Sequence, residues 1–312
     1  MSATPNSSPL KLTVICPVFN EAESLPVFLE RFNAVRDALS DRYSVDLLFT
    51  NNASTDNSLE LIKNWRKEKT YIYFVTLSKN AGYQISMECG LRSATGDLFA
   101  FIDVDCEDPP EMLIDFVRAF ESERCDIVYG ERVDREENFL LKSGRKFFYR
   151  LLKRIADDEV VLDMAEFSLF TREVRDAIVQ ETTAYPFIRA SIGRVGFKRK
   201  GIAYKRGKRV AGKSNFNAQR LAGFALAAMF ASSSLPLILP IKLLPIALII
   251  VGTLAVWRIV EPSRWIDAVI IFVVAAFLMS SIAFISIYTR RSYRNSMGRP
   301  NYFISEAESC LQ

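Results

Sequence analysis

The sequence has 312 residues, half of them hydrophobic, with 40 Lys and Arg against 36 Asp and Glu and a net charge of +4. It contains no histidine, which excludes any mechanism that needs an imidazole and leaves acid–base and metal chemistry to carboxylates. The five cysteines have no paired spacing, so we expect reduced thiols and no zinc site, and the modest charge gives no reason to expect a nucleic-acid partner.

In the first half of the chain, short apolar runs alternate with segments of helical periodicity. Residues 1–10 are polar and predicted to be disordered. Strands are predicted at residues 11–16, 45–50, 71–77, 98–102 and 126–129, with a helix after each of the first four. This alternation predicts an α/β domain over residues 11–216, with a mostly parallel sheet and helices on both faces.

Polar clusters fall where the predicted strands end. Residues 17–21 are Pro-Val-Phe-Asn-Glu, residues 51–56 are Asn-Asn-Ala-Ser-Thr-Asp, and residues 78–82 are Ser-Lys-Asn-Ala-Gly. Ligands bind open α/β sheets at this edge, so the repetition indicates a binding site. The glycine patterns of dinucleotide oxidoreductases and P-loop ATPases do not occur, which argues against both classes.

The fourth strand leads into the most acidic of these clusters. Asp103, Asp105 and Glu107 alternate and would share one face if the strand continued that far, and Pro109 and Pro110 then start a helix. Three carboxylates on one face suit Mg²⁺ or Mn²⁺ with a nucleotide diphosphate. The alternative is a solvated acidic loop before a helix.

Two further segments carry charges of interest. Residues 132–154 are basic and aromatic, which suits either a solvated amphipathic helix or capture of a phosphate at a membrane surface. Asp163 and Glu166 stand just before a predicted strand, where the alternative is a helix cap or a surface pair.

The last third of the chain is apolar. Residues 217–234 are predicted to form an interfacial helix, residues 235–289 two transmembrane helices, and residues 290–312 a tail. Basic clusters on both sides of the spans place the catalytic domain and both termini in the cytoplasm, and we expect a bacterial inner membrane. The alternative is a pair of buried core helices.

The ordered motifs resemble the membrane-bound polyprenyl-phosphate glycosyltransferases of glycosyltransferase family two, which include the bactoprenol glucosyltransferases and, more distantly, dolichol-phosphate mannose synthase. The matching segments are Pro-x-x-Asn-Glu at 17–21, Asn-Asn-Ala-Ser-Thr-Asp at 51–56, Lys-Asn-Ala-Gly at 79–82, Asp-Val-Asp-Cys-Glu-Asp-Pro-Pro-Glu at 103–111, Asp-Met-Ala-Glu-Phe-Ser-Leu at 163–169 and Arg-Val-Ala-Gly-Lys-Ser at 209–214. The resemblance runs from about residue 12 to residue 303.

The resemblance implies an A-type glycosyltransferase fold and inverting, metal-dependent transfer of one sugar, from a UDP-sugar by default, to an undecaprenyl or dolichyl type of phosphate. The implied nucleotide-sugar-binding residues are Pro17, Asn20, Glu21, Asn52, Ser54, Lys79, Gly82, Asp103 and Val104. The implied ligands of Mg²⁺ or Mn²⁺ are Asp103, Asp105 and Glu107, and the catalytic carboxylate is Asp163 or Glu166. Lipid-phosphate binding falls to Arg132, Arg135, Arg145, Arg209 and Ser214, and assembly into a homo-oligomer through the membrane helices is expected.

The chain departs from the family pattern at several positions. Asn52 replaces an Asp, Ala53 and Ala165 replace Gly, Ser168 replaces an Arg and Asn215 replaces a Lys. An amide donates and accepts hydrogen bonds whereas a carboxylate only accepts. The preferred nucleotide therefore does not follow from the family pattern alone, and UDP is kept as the default. Two alternatives stand beside the transferase: a processive polysaccharide synthase, and a non-catalytic membrane adaptor that binds nucleotide sugars.

Overall fold

The computed structural model describes residues 9–133, 164–207, 209–210, 229–230 and 233–311. Within these ranges the strands are β1 (Leu10–Val18), β2 (Tyr43–Asn51), β3 (Ile72–Thr76), β4 (Leu98–Phe101), β5 (Ile127–Val133), β6 (Met164–Thr171) and β7 (Arg199–Lys205). The helices are α1 (Leu25–Leu39), α2 (Ser58–Glu68), α3 (Tyr83–Ser93), α4 (Met112–Glu123), α5 (Arg172–Val179), α6 (Ile188–Arg194), α7 (Leu235–Val260) and α8 (Arg264–Ser296), followed by a 3₁₀ turn at Glu306–Glu308.

The described strands form one seven-stranded sheet in the order β3-β2-β1-β4-β6-β5-β7. The pairs β1–β2, β2–β3, β1–β4 and β5–β7 are parallel, whereas β6 runs antiparallel to both β4 and β5. Parallel pairing of β1 to β4 places the carboxyl ends of these strands, and the loops that follow them, at one edge of the sheet. The predicted mostly parallel α/β sheet is therefore confirmed.

Helices cover both faces of the sheet. Helices α1, α2 and α4 pack on one face around Phe28, Phe32 and Phe49, which are fully or nearly fully buried. Helices α3, α5 and α6 pack on the other face around Phe99 and Phe170. Buried strands with apolar side chains on both faces need such a double cover, which explains the near-continuous apolar runs of β1, β2 and β4.

Helices α7 and α8 pair with each other and are long and apolar enough to span a membrane, with mean hydropathy of 2.4 and 2.8 over windows of which 0% is buried. So large an exposed apolar surface is unfavourable in water, and it indicates membrane association. Helix α7 includes Pro240 and Pro245 in its interior. Helix α8 continues to Ser296, beyond the predicted end of the spans at residue 289. The basic residues that follow the apolar run thus belong to the same helix.

The chain after α8 returns to the sheet and covers its outer strand. Ser305 N donates to Thr76 O at 2.8 Å, and Cys310 N and Phe74 N exchange hydrogen bonds with each other's carbonyl groups at 2.8 and 2.9 Å. Lys63 on α2 forms an ion pair with Glu308. Covering an edge strand removes unpaired backbone groups from solvent, so this tail protects β3 and ties the end of α8 to the sheet.

Two sequence predictions need correction, and others lie outside the described residues. The first strand begins at Leu10, inside the segment predicted to be disordered, because it pairs with β2 from that residue onward. Glu166 lies within β6 and not before it. The predictions for residues 1–8, for most of the interfacial helix at 217–234, and for Asp163, Arg135, Arg145 and Ser214 fall outside the described residues.

Candidate active site

The loops after β1 and β2 are joined by the side chain of Asn20. Its backbone is left-handed, with φ of 56°. Its Oδ1 accepts hydrogen bonds from Thr55 N at 2.7 Å and Asp56 N at 3.4 Å, and its backbone N donates to Ser54 Oγ at 3.1 Å. Asn enters the left-handed region more readily than most residues because its short side chain bonds locally. The two loops therefore form one continuous surface at the edge of the sheet.

Asn52 joins the loop after β2 to the loop after β3. Its Nδ2 donates to Asn80 Oδ1 at 3.1 Å, and its Oδ1 accepts from Ala81 N at 2.9 Å. A carboxylate can only accept hydrogen bonds, so an Asp at this position loses the first of these bonds. The amide that distinguishes this chain from the family pattern is thus used to hold the protein's own loops, and its side chain is buried.

Besides Asn20, two residues of these loops have a backbone in the left-handed region. Gly82, which precedes α3, has φ of 94°, and Ala53, which follows Asn52, has φ of 56°. This region costs a residue with a Cβ roughly 1–2 kcal/mol, and glycine avoids that cost. The left-handed backbone at position 53 suits the Gly that the family pattern has there. Ala53 therefore strains the loop.

The acidic segment follows β4 as a turn. The strand ends at Phe101, and the left-handed φ of 57° at Cys106 interrupts the alternation of side chains. Glu107 N donates to Asp105 Oδ1 at 3.0 Å, a local bond typical of Asx turns. The strand therefore does not continue far enough for Asp103, Asp105 and Glu107 to share one of its faces. The turn determines where these three side chains lie.

Asp103 lies among other carboxylates. Burial, followed by repulsion from Asp105 and Asp108, raises the pKa of Asp103 to about 7. Tyr83, the first residue of α3, donates its hydroxyl to Asp103 Oδ1 at 2.8 Å, which opposes part of that shift. A cation stabilises clustered carboxylates, so this part of the edge favours binding of positive charge.

Arg132 on β5 belongs to a buried ion pair. Its Nη2 donates to Asp108 Oδ2 at 2.9 Å and its Nε donates to the Tyr204 hydroxyl at 3.1 Å, while that hydroxyl donates to Asp108 Oδ1. Asp108 is 2% exposed. Arg206 contributes a second cation to this region through its ion pair with Glu107. A lipid phosphate at Arg132 therefore has to share a guanidinium that Asp108 already holds.

Arg209 reaches the acidic turn from the other side. It forms an ion pair with Glu21, and its Nη1 lies 3.9 Å from Asp105 Oδ2. Ser24 donates its hydroxyl to the second oxygen of Glu21 at 2.9 Å, which fixes that carboxylate. Arg209 thus places a positive charge directly beside the carboxylates that suit a metal ion, where two anionic substrates could meet without repulsion.

Glu166 projects from β6 into a polar contact with α3 and α6. Arg189 forms an ion pair with one of its oxygens, and Gln84 Nε2 lies 3.5 Å from the other. The side-chain carbonyl oxygen of Gln84, Oε1, accepts a hydrogen bond from Ile188 N at 2.9 Å. As an ion-paired carboxylate, Glu166 is better suited to orient a hydroxyl group than to remove a proton.

No group of three or more Asp, Glu or Cys side chains arranged to hold a metal ion occurs among the described residues. Asp105 lies close enough to Asp103 to raise the pKa of Asp103, while Glu107 is held by Arg206. Two carboxylates are a common protein contribution to a Mg²⁺ site, where substrate phosphates and water complete the coordination. The donor set therefore fits a divalent cation through Asp103 and Asp105, and the role of Glu107 stays a prediction.

The structure brings most of the predicted site residues to this one edge. Pro17 and Val104 are buried in its floor, while Lys79, Gly82 and Asn20 are exposed at its rim. Sequence reasoning missed Tyr83, Asp108 and Arg189. Tyr83 follows the Lys-Asn-x-Gly segment directly and Asp108 lies inside the acidic motif, so both had a local signal, whereas nothing in the sequence connects Arg189 to Glu166.

A mixed α/β sheet with polar loops at the carboxyl edge of its parallel strands defines a ligand-binding α/β protein. Glycosyl transferase family 2 matches residues 13–179, a segment that contains β1 to β6 and most of the site described above. This is more than half of the chain, and the chain belongs to that family and is a glycosyltransferase. The family resemblance inferred from the motifs is confirmed.

Relatives match along almost the whole chain, including both apolar helices. The chain is 27% identical over 311 residues to the "Uncharacterized glycosyltransferase YkcC" of Bacillus subtilis (strain 168), covering 96% of this chain and 94% of that protein. It is 28% identical over 305 residues to the "Bactoprenol glucosyl transferase" of Shigella phage SfV, covering 95% and 98%. Both alignments thus span nearly the full length of each relative.

Among solved structures, the chain is similar to mannosyl-3-phosphoglycerate synthase from Rubrobacter xylanophilus, with a TM-score of 0.48 and 15% identity over 71% of this chain and 72% of that one. At this identity no residue role follows from the similarity.

Proposed function

We propose that this protein transfers a single sugar from a nucleotide sugar to a polyprenyl phosphate at the membrane surface, with inversion at the anomeric carbon. The observation that carries the proposal is the placement of Asp103 and Asp105 beside Arg209 at the carboxyl edge of the sheet. Carboxylates suited to a cation next to an arginine form a site for two anionic partners. The apolar helices α7 and α8 hold such a site near lipid.

The names of the relatives support a polyprenyl phosphate as the acceptor. The Shigella phage SfV relative and the "Prophage bactoprenol glucosyl transferase homolog" of Escherichia coli (strain K12), which is 26% identical over 308 residues, are named for bactoprenol. Both are matched over at least 98% of their own length, so the segments next to the membrane are included. The same acceptor class is proposed for this chain.

The donor is proposed to bind across the loops joined by Asn20 and Asn52, with Glu21, Ser54, Lys79 and Gly82 around it. These loops form a continuous surface that ends at Asp103. A divalent cation, Mg²⁺ or Mn²⁺, held by Asp103 and Asp105 supplies positive charge to the diphosphate that leaves. UDP is proposed as the nucleotide because it is the default donor nucleotide that the family resemblance implies.

In the proposed reaction an oxygen of the acceptor phosphate forms a bond to the anomeric carbon while the bond from that carbon to the nucleoside diphosphate breaks. A single displacement inverts the configuration. A phosphate monoester is largely ionised near pH 7, so no strong base is needed. Arg209 orients the acceptor phosphate, and Glu166, paired with Arg189, orients sugar or acceptor hydroxyls. Asp163 is proposed as the catalytic carboxylate from the motif alone.

The basic residues that flank the apolar helices support a cytoplasmic catalytic domain, with both chain ends on that side of a bacterial inner membrane. The donor is then a water-soluble cytoplasmic molecule and the acceptor a lipid in the adjacent leaflet.

The proposal is tested by transfer of radiolabel from a panel of nucleotide sugars to undecaprenyl phosphate, with purified full-length protein in detergent and Mg²⁺ or Mn²⁺. Label is expected in the lipid extract from one donor, and Asp103→Ala is expected to abolish it. The matched control is Asp115→Ala, which removes an exposed carboxylate on α4 whose ion pair in the described residues is with Arg118. Equal loss in both variants, or transfer by Asp103→Ala that still needs metal, contradicts the metal-site assignment.

The same assay separates the alternatives. A polymer of labelled sugar identifies a processive synthase, and donor binding without any transfer identifies a non-catalytic adaptor.

A further inference from the structure

A cleft of about 520 Å³ lies between α6, the segment before it, and the basic end of α8. We call it the α6–α8 cleft and define it by Glu181, Tyr185, Arg194, Phe230, Tyr288 and Arg291, which are among the residues that line it. It is separate from the carboxyl edge of the sheet: on α6, Arg189 pairs with Glu166 of the candidate active site, whereas Arg194 faces the cleft. Its residues have no role in the proposed transfer reaction.

Two guanidinium groups converge on one aromatic ring at this cleft. The guanidinium carbon of Arg291 lies 4.8 Å from the centre of the Tyr185 ring, and that of Arg294 lies 5.1 Å from the same centre. Arg291 also donates to Phe230 O at 2.6 Å. Neither arginine forms an ion pair with a carboxylate in the part of the chain that the structure describes. Two like charges held this close without a counter-charge favour an anion beside them.

The carboxylate in the cleft wall is already neutralised. Glu181 accepts from Arg194 Nη1 at 2.9 Å and from the Ser191 hydroxyl at 2.7 Å, so both of its oxygens are used. It therefore does not balance the charge of Arg291. Part of the remaining wall is aromatic, with the rings of Phe230 and Tyr288 5.7 Å apart in an edge-to-face arrangement. A ligand that fits has an anionic group next to an apolar part.

The position of the cleft along α8 identifies the source of such a ligand. Residues 268–288 of α8 are uncharged, and at 1.5 Å per residue they extend over roughly 30 Å, the thickness of a bilayer core. Tyr288 ends this run, and Arg291 follows within one helical turn. Arg291 is therefore at the depth of the lipid phosphates, next to tyrosine rings of the kind enriched at that depth.

We propose that the α6–α8 cleft binds the phosphate of an anionic membrane lipid through Arg291, with the adjoining acyl or prenyl chain against Phe230 and Tyr288. Arg294, stacked on the Tyr185 ring that lines the cleft, adds positive charge beside it. The proposal rests on the membrane placement of α8 given under the proposed function. It assigns the lipid a place outside the acidic turn. Because α6 bears Arg189 as well as a wall of the cleft, an occupied cleft also steadies the helix that holds Glu166.

Native mass spectrometry of the full-length protein in detergent, with added lipids and no nucleotide sugar, tests this proposal. The probes are phosphatidylglycerol, undecaprenyl phosphate and, as the zwitterionic reference, phosphatidylcholine. Arg291→Gln is expected to weaken binding of an anionic probe by about tenfold or more, the usual effect of losing a charge-assisted contact. Arg290→Gln is the matched control, since it removes the same charge from the neighbouring position, which does not line the cleft.

A second variant covers the case in which Arg291→Gln fails to fold. Ser292 lines the cleft and is exposed, so Ser292→Glu introduces a negative charge there without removing a contact of Arg291, and it is expected to weaken binding similarly. Selective loss with phosphatidylglycerol identifies a glycerophospholipid site, and selective loss with undecaprenyl phosphate identifies the acceptor lipid; either supports the proposal. Equal effects of Arg291→Gln and Arg290→Gln, or equal binding of phosphatidylcholine, overturn it. Because no sugar donor is present, a failure of transfer activity leaves this result interpretable.

Discussion

Replacing Asp103 by Asn is expected to stabilise the metal-free protein, and more at high pH than at low pH. The pKa of Asp103 is raised from 3.8 to about 7 by burial and by neighbouring carboxylates. A carboxyl whose pKa is higher in the folded state than in the unfolded state destabilises the fold when it ionises. Stability is therefore lost as the pH rises from about 4 to about 7, opposite to the usual behaviour of a salt-bridged carboxylate.

The size of the effect follows from these two pKa values. Above pH 7 the ionised carboxylate costs about 4 kcal/mol of unfolding free energy, and at pH 5 the cost is about 1.5 kcal/mol. Asp103→Asn removes this cost, and the Asn side-chain carbonyl can still accept from the Tyr83 hydroxyl. The gain in stability is thus expected to be about 2 to 3 kcal/mol larger at pH 8 than at pH 5, equivalent to roughly 5–10 °C in melting temperature.

The assay is thermal unfolding followed by tryptophan fluorescence, for wild type and Asp103→Asn, at pH 5 and pH 8 in the presence of a chelator. Comparing the two pH values cancels any change in packing that the substitution causes. Asp115→Asn, at an exposed position on α4, serves as the control and is expected to show no such difference. Adding Mn²⁺ at pH 8 is expected to stabilise wild type and not Asp103→Asn. The same shift at both pH values refutes the electrostatic reasoning.

Three further substitutions test other parts of the account. Ala53→Gly is expected to raise the unfolding free energy by about 0.5–1 kcal/mol, because relief of the left-handed strain exceeds the entropy of glycine; lower stability in denaturant contradicts this. Arg132→Met is expected to cost up to about 3 kcal/mol, because it leaves buried Asp108 with the Tyr204 hydroxyl and the longer, 3.6 Å contact to Arg206 Nε, and adding Asp108→Asn should restore much of it; no recovery in thermal unfolding contradicts the buried ion pair. Asn52→Asp is expected to weaken donor binding severalfold by calorimetry, since it breaks the contact with Asn80, and unchanged affinity counts against that link between the loops.

The architecture could be predicted from local patterns because each strand of the first half is a short apolar run that ends in a polar loop. Phe28 and Phe32 on α1 and the apolar run of β4 are buried as periodicity indicates. Helices α7 and α8 were predictable for the same reason, since a long apolar run with few charges is a local property of the sequence.

The parts that could not be predicted depend on contacts between distant residues. The insertion of β6 between β4 and β5 follows from sheet assembly, not from the sequence of β6 itself. The carboxylates at 103, 105 and 107 alternate as they would in a strand. The segment instead forms a turn in which Cys106 has a positive φ, and nothing in the sequence indicates this. The family resemblance assigned Arg132 to a lipid phosphate, and nothing in the sequence shows that in the fold its guanidinium donates to Asp108 and Tyr204.

The most direct test of the central claim is the mass of the lipid product formed from a nucleotide sugar and undecaprenyl phosphate by the full-length protein. The account predicts one species, heavier than the acceptor by a single sugar residue and retaining one phosphate. A ladder of several sugars, a product that carries two phosphates, or a sugar attached to anything other than the lipid phosphate would contradict it.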